Sequence, residues 1–191
     1  MQKQNKGVEL DDVRFIEFAN FDEDKFSYYQ RIGKAMKPDP AGLDDIYQWT
    51  FGKVKELQMM FTEVVTIKRI PEILAFAHTT EKRKRSPELF WRMKWYKVFQ
   101  LWNHVYQQMD QINEREKVLE YEPDADQESA GIDRFIKFGT LATIDLLADG
   151  NVLIYKQIEE QPYSLIFAKL YLEHEKGVYL KNLQAIKNRK Q

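Results

Sequence analysis

The pattern of apolar and polar positions is sharpest between residues 87 and 121. Trp91, Trp95, Phe99, Trp102, Tyr106 and Met109 follow one another at spacings of 4, 4, 3, 4 and 3. A turn of about 3.6 residues places all six along one stripe of an α-helix. Ser86, Pro87 and Glu88 supply the start: a hydroxyl to cap free N–H groups, a proline that suits the first helical position, and an acid facing the positive end of the helix dipole. The spacing predicts one long helix over 87–121, about 50 Å at 1.5 Å per residue. Phe90, Met93, Tyr96, Leu101 and Val105 widen its apolar arc beyond the stripe. Such a helix needs cover on more than one side.

Shorter helices are predicted around it. Thr50 is placed to cap a helix through Val54, Leu57, Gln58 and Phe61, and Pro71 fits the first turn of another over 71–77. Residues 122–126 (Glu-Pro-Asp-Ala-Asp) read as a loop. A helix over 128–148 carries Ile132, Phe135, Ile136, Leu141, Ile144, Leu146 and Leu147 and stops at Asp149-Gly150-Asn151, where glycine suits a C-terminal cap. A helical turn over 152–159 follows, and Pro162 then opens a last helix containing Leu165, Phe167, Leu170, Tyr171, His174, Val178, Leu183 and Ile186. Near the N-terminus, Val13 to Phe18 partly alternates and suits a short strand or an extended arm. A short helix over 25–36 is ended by Pro38 and Pro40. The expected fold is therefore all-α. Five to six helices pack orthogonally or as a bundle around the 87–121 helix, with an N-terminal arm over 1–40 and a helical domain over 41–191.

Composition supports this picture. Apolar residues make up 43% and aromatic residues 14%, while only 8 Gly and 6 Pro are present, which disfavours a turn-rich β design. No stretch reaches the roughly 20 apolar residues of a membrane-spanning helix. The N-terminus has no apolar run of the kind found in a signal peptide, so a cytoplasmic protein is expected. With no Cys, disulfides, thiolate catalysis and Cys-ligated zinc are excluded. Net charge is −1, yet residues 68–97 hold nine Lys or Arg against three acids, and residues 110–128 hold eight acids against two bases. Two oppositely charged poles can steer partners or neighbouring copies, although two differently solvated surfaces are the favoured reading of either stretch.

No catalytic pattern emerges. His78, His104 and His174 fall in separate predicted helices without a second ligand at metal-binding spacing. Acid pairs such as Asp44–Asp45 and Glu159–Glu160 are adjacent rather than on one helical face. No enzyme activity, metal or cofactor is expected. The basic run Lys82-Arg83-Lys84-Arg85 ahead of Trp91 and Trp95 can be read as a phosphate-contacting patch with stacking rings. It can also be read as a solvated loop above a buried stripe, and the nearly neutral total charge favours that reading. The partner-contact candidates are Phe90, Met93 and Tyr96 on the wide apolar arc, with Lys82, Arg83, Lys84 and Arg85 beside them.

Two regions resemble a known family. The run from Gln48 to Gln58 (Gln-Trp-Thr-Phe-Gly-Lys-Val-Lys-Glu-Leu-Gln) resembles the start of an early helix in small phage tail proteins. The runs 131–139, 144–152 and 162–167 place a helix, a Leu-Ala-Asp-Gly-Asn turn, a short helix and a final helix in succession. This order resembles the C-terminal part of tail assembly chaperones of long-tailed double-stranded DNA phages, and the likeness covers about a third of the chain. It implies a non-catalytic protein of the host cytoplasm that binds the long helical tape-measure protein, helps recruit tail-tube subunits, and leaves before the particle matures. A homo-oligomer is compatible with it. The alternatives are a structural or adaptor protein kept in the phage particle, or a helical nucleic-acid binder using residues 82–95.

Overall fold

The regular structure is helical in a computed structural model that describes residues 13–20, 27, 31–40, 43–62, 65–80, 83–120, 123 and 125–189. Among these residues there is no β-strand, only the isolated bridges Arg14–Lys94, Thr50–Pro162 and Thr80–Arg83. The chain is all-α, as its periodicity requires. The α-helices are α1 (Phe15–Phe18), α2 (Phe51–Thr62), α3 (Ile70–Ala77), α4 (Pro87–Trp91), α5 (Trp95–Glu116), α6 (Ala125–Ala130), α7 (Thr140–Leu147), α8 (Tyr155–Glu159) and α9 (Tyr163–Asn188). Tighter 3₁₀ turns occupy Ile46–Gln48, Ile67–Arg69, Lys117–Leu119, Ile132–Phe138 and Val152–Ile154. Residues 27 and 31–34 are helical as well, and the rest of the helix expected over 25–36 lies outside the described residues or in the turn at 35–36.

The chain divides into two compact units. Unit 1 comprises Met1–Asp44 and Leu57–Met109, and unit 2 comprises Asp45–Glu56 and Asp110–Gln191. The described residues of the expected 1–40 arm fall in unit 1.

In unit 1, the predicted caps are present. The Ser86 hydroxyl accepts from the Glu88 N–H (3.3 Å), and Pro87 opens α4. The predicted continuous helix over 87–121 is interrupted, however. It turns at residues 92–94 and resumes as α5, the long central helix, which ends at Glu116. The reason is an alternative set of backbone partners. Phe15 N–H donates to the Met93 carbonyl (2.8 Å) and Trp95 N–H donates to the Val13 carbonyl (3.1 Å). Neither Met93 nor Trp95 then needs an intrahelical partner there. Residues 13–18 are correspondingly one bridge residue and a helical turn rather than a strand. Their rings enter the core: Phe18 stacks on Trp95 (5.7 Å between centroids), and Phe15 packs on Trp91 (5.4 Å) and Phe99 (6.2 Å). Asn103 closes the end of the 31–34 helix by donating to the carbonyls of Gly33 (3.0 Å) and Met36 (2.9 Å). Gly33 is required there, because a Cβ would sit 2.7 Å from the Phe99 ring.

In unit 2, Thr50 caps α2 as expected, its hydroxyl accepting from Lys53 N–H (3.4 Å). The Phe51 N–H donates to the Gln161 carbonyl (2.8 Å) and Tyr163 N–H to the Trp49 carbonyl (2.7 Å), tying the start of α2 to the start of α9. The single helix expected over 128–148 is replaced by three pieces: α6, the 3₁₀ segment Ile132–Phe138, and α7. Gly131 (φ 83°) and Gly139 (φ 49°, ψ −127°) make the breaks. Both conformations are costly for a residue with a Cβ. Gly150 (φ 74°) stops α7 at the turn read from sequence.

These glycines yield a contrast between two substitutions to alanine. Gly139→Ala should destabilise the protein by about 1–2 kcal/mol through backbone strain, although space for the methyl is open. Gly177→Ala, within α9 and also in open space, should stabilise by about 0.5–1 kcal/mol. Thermal unfolding of both variants checks the opposite signs.

Candidate interaction surface

The partner-contact residues read from sequence do not share one exposed face. Phe90 is only 2% exposed and lies against the His78 ring (5.7 Å). Met93 and Tyr96 are half-buried. Arg83 and Lys84 are exposed and Arg85 half-exposed, in the turn between α3 and α4. This turn is closed by paired Thr80 and Arg83 backbone groups (3.0 and 3.1 Å) and by the Thr79 hydroxyl, which accepts from Arg85 N–H (3.0 Å). Lys82 lies outside the described residues. The rings that would complete a stacking platform face inward, with Trp95 in the core and Trp91 half-buried against Phe15. Among the described residues, Arg83 and Lys84 of this turn are exposed to solvent and are not interleaved with exposed aromatic rings.

Exposed apolar surface is concentrated in unit 2 instead. Ile136 is 75%, Leu146 71% and Leu153 84% exposed, with Phe135, Phe138, Leu141 and Val152 also open to solvent. No residue of Ile132–Phe138 is buried. That segment packs on α7, and α7 packs on α8, so the exposed side chains lie on successive small pieces in contact with one another. Their fold follows from local chemistry: the two glycines prevent one helix from turning its apolar side inward, and the Asn151 side chain accepts from Leu153 N–H (3.1 Å) to start the next turn. An apolar surface of this kind is costly to leave in water.

Sequence periodicity placed Phe135, Ile136 and Leu146 in one continuous helix over 128–148. The signal that could have corrected it is the pair Gly131 and Gly139, which bracket the run and adopt backbone conformations that stop a helix.

A polar cluster ties α2, α5 and α9 together in unit 2. Lys55 Nζ donates to both carboxylate oxygens of Glu116 (2.8 and 2.9 Å), and the Tyr163 hydroxyl donates to Glu116 Oε1. Tyr163 is buried, stacked on Phe51 (6.4 Å), with Tyr47 edge-on (5.5 Å) and the Arg115 guanidinium 4.4 Å above the Tyr47 ring. Burial, reinforced by the bond to Glu116, pushes the Tyr163 phenol well above the ordinary tyrosine value. The other shifted groups are on the surface. Glu173 is lowered by its hydrogen bonds to Lys169 and Lys176, Lys117 is raised by its bond to Glu114, and Tyr155 is raised by its bond to Asp145. Among the described residues no group of three or more His, Asp or Glu converges as a metal site. No helix there is long and apolar enough to cross a membrane.

No family model, curated protein or solved structure matches this chain.

Proposed function

We propose that this chain is a non-catalytic binding protein whose unit 2 covers apolar helical surface on a longer partner, in the manner of a phage tail assembly chaperone bound to a tape-measure protein. The observation that carries the reading is the row of exposed apolar side chains on Ile132–Phe138, α7 and Val152–Ile154. A long helical protein with apolar stripes aggregates unless those stripes are covered. Small pieces joined by glycine turns supply an apolar surface that can adapt to such a stripe and release it. The resemblance supports the same assignment, because its runs 131–139 and 144–152 include the exposed Phe135, Ile136, Phe138, Leu146 and Val152.

Co-expression with the tape-measure protein of the same phage tests the proposal. The wild-type chain should keep that partner soluble and co-purify with it. The double variant Ile136→Asp, Leu153→Asp should fold with unchanged helicity, because both side chains are exposed, yet lose the partner by at least tenfold in affinity. Wild-type protein that neither binds nor solubilises the tape-measure protein would sink the reading. Mass spectrometry of purified particles separates a departing chaperone, absent from them, from a retained adaptor. A nucleic-acid role through residues 82–95 is less well supported, since Trp95 cannot stack a base from the core.

A further inference from the structure

We propose that unit 1 carries a binding site for a small planar monoanion with one N–H or O–H donor, in the cavity lined by α5 and by residues 65–70. This goes beyond the partner assigned to the 132–154 surface and rests on residues of the other unit.

The cavity measures about 550 Å³, within the roughly 300–1,000 Å³ of small-molecule sites. Its walls follow from spacing. Phe99, Trp102 and Tyr106 stand three and four residues apart on α5 and so share one face. Ile67 and Ile70 come from the turn before α3 and from its first residue. The rings are held in place by their neighbours. Trp102 lies 5.2 Å from Phe61 with the two planes 7° apart, and Tyr106 lies 6.1 Å from Trp102. Such a wall favours a flat apolar body, because ring contacts add to the gain from burying area.

Two polar groups on the wall set the rest of the ligand's chemistry. Asn103 lines the cavity, and both of its side-chain N–H groups are already spent on the Gly33 and Met36 carbonyls. What remains is Asn103 Oδ1, which is open to solvent and accepts no hydrogen bond from a described residue. An amide held at two points cannot turn over to offer a donor instead. The oxygen therefore selects a ligand that brings its own donor. Lys34 follows Gly33 in the chain, so the bond that anchors Asn103 also sets the lysine at the same edge of the cavity. Among the described residues that line the cavity Lys34 alone is charged, and no described carboxylate pairs with it. An ammonium in that position favours one negative charge. The aromatic wall, the fixed acceptor and the single cation together define the class: a flat apolar body with one acid and one donor.

Isothermal titration calorimetry on the full chain tests the site, with indole-3-acetate as the probe because it combines a planar ring, one N–H and one carboxylate. It should bind with a submillimolar Kd. Benzofuran-3-acetate, which has a ring oxygen in place of the N–H, should bind about tenfold more weakly, because it sets an acceptor against Asn103 Oδ1. Tryptamine, a cation on the same ring system, should also bind at least about tenfold more weakly. Lys34→Gln, at an exposed position, should fold normally and weaken indole-3-acetate by about three- to fivefold, the modest worth of an exposed ion pair. The same variant should bind neutral 3-methylindole as the wild type does. Ile136→Asp with Leu153→Asp should leave indole-3-acetate binding unchanged, since both residues belong to unit 2. Absence of binding at millimolar probe overturns the proposal. So does equal affinity for benzofuran-3-acetate or tryptamine, or a Lys34→Gln variant that binds indole-3-acetate as tightly as the wild type. Loss of binding in the unit 2 variant overturns it as well, by placing the probe on the 132–154 surface.

Discussion

Trp95→Ala should bring unit 1 close to unfolding, with a loss of about 3–5 kcal/mol. Trp95 is 2% exposed, stacked on Phe18 and edge-on to Phe99 (6.0 Å). Removing the indole leaves a cavity lined by rings that come from α1 and from α5 itself. Rings are stiff, so the cavity cannot close by small rotations. A loss of this size is a large fraction of the 5–15 kcal/mol that holds a typical domain together. The same substitution at Trp91 should cost much less, because that ring is half-buried and meets solvent on one side. Urea unfolding followed by near-ultraviolet circular dichroism gives both values. Equal midpoints for the two variants would contradict the packing described here.

Glu116→Ala is the second large effect, expected at about 2–3 kcal/mol. It removes the acceptor for both the Lys55 ammonium and the buried Tyr163 hydroxyl. The cost stays below that of a fully buried broken pair, since the Lys55 and Glu116 side chains keep 20% and 24% of their exposure. Glu116→Gln should lose less, because its carbonyl can still accept from Tyr163. The same cluster carries a pH dependence. Tyr163 has a folded pKa raised above its ordinary value of 10.0, chiefly by burial. The neutral phenol is therefore the form that the fold stabilises. Its contribution is complete below pH 10 and is lost progressively as pH rises beyond it, where Tyr163 ionises in the unfolded chain first. The stability advantage of wild-type protein over Tyr163→Phe should accordingly shrink above pH 10, by up to about 1.4 kcal/mol per pH unit. Chemical denaturation of both proteins at pH 8 and pH 11 measures it. An advantage that is unchanged or larger at pH 11 would refute the placement of this phenol.

Sequence alone determined what depends on neighbours three or four residues away. The helical class, the Ser86 and Thr50 caps, the proline starts at Pro71 and Pro87, the long central helix and the glycine stop at residue 150 all follow from short-range geometry, and all are present. Tertiary structure decided where that local pattern is overruled. Residues 92–94 leave the helix because Val13 and Phe15, some 80 positions earlier in the chain, offer their backbone groups and bring their neighbouring rings to Trp91, Trp95 and Phe99. No periodicity within 87–121 encodes a partner at that distance. The candidate surface moved for a related reason. An apolar stripe says that a face needs cover, but not whether the chain itself provides it. Phe90 found its cover within the fold, whereas Ile136 and Leu146 did not, because Gly131 and Gly139 broke the single helix expected to carry them.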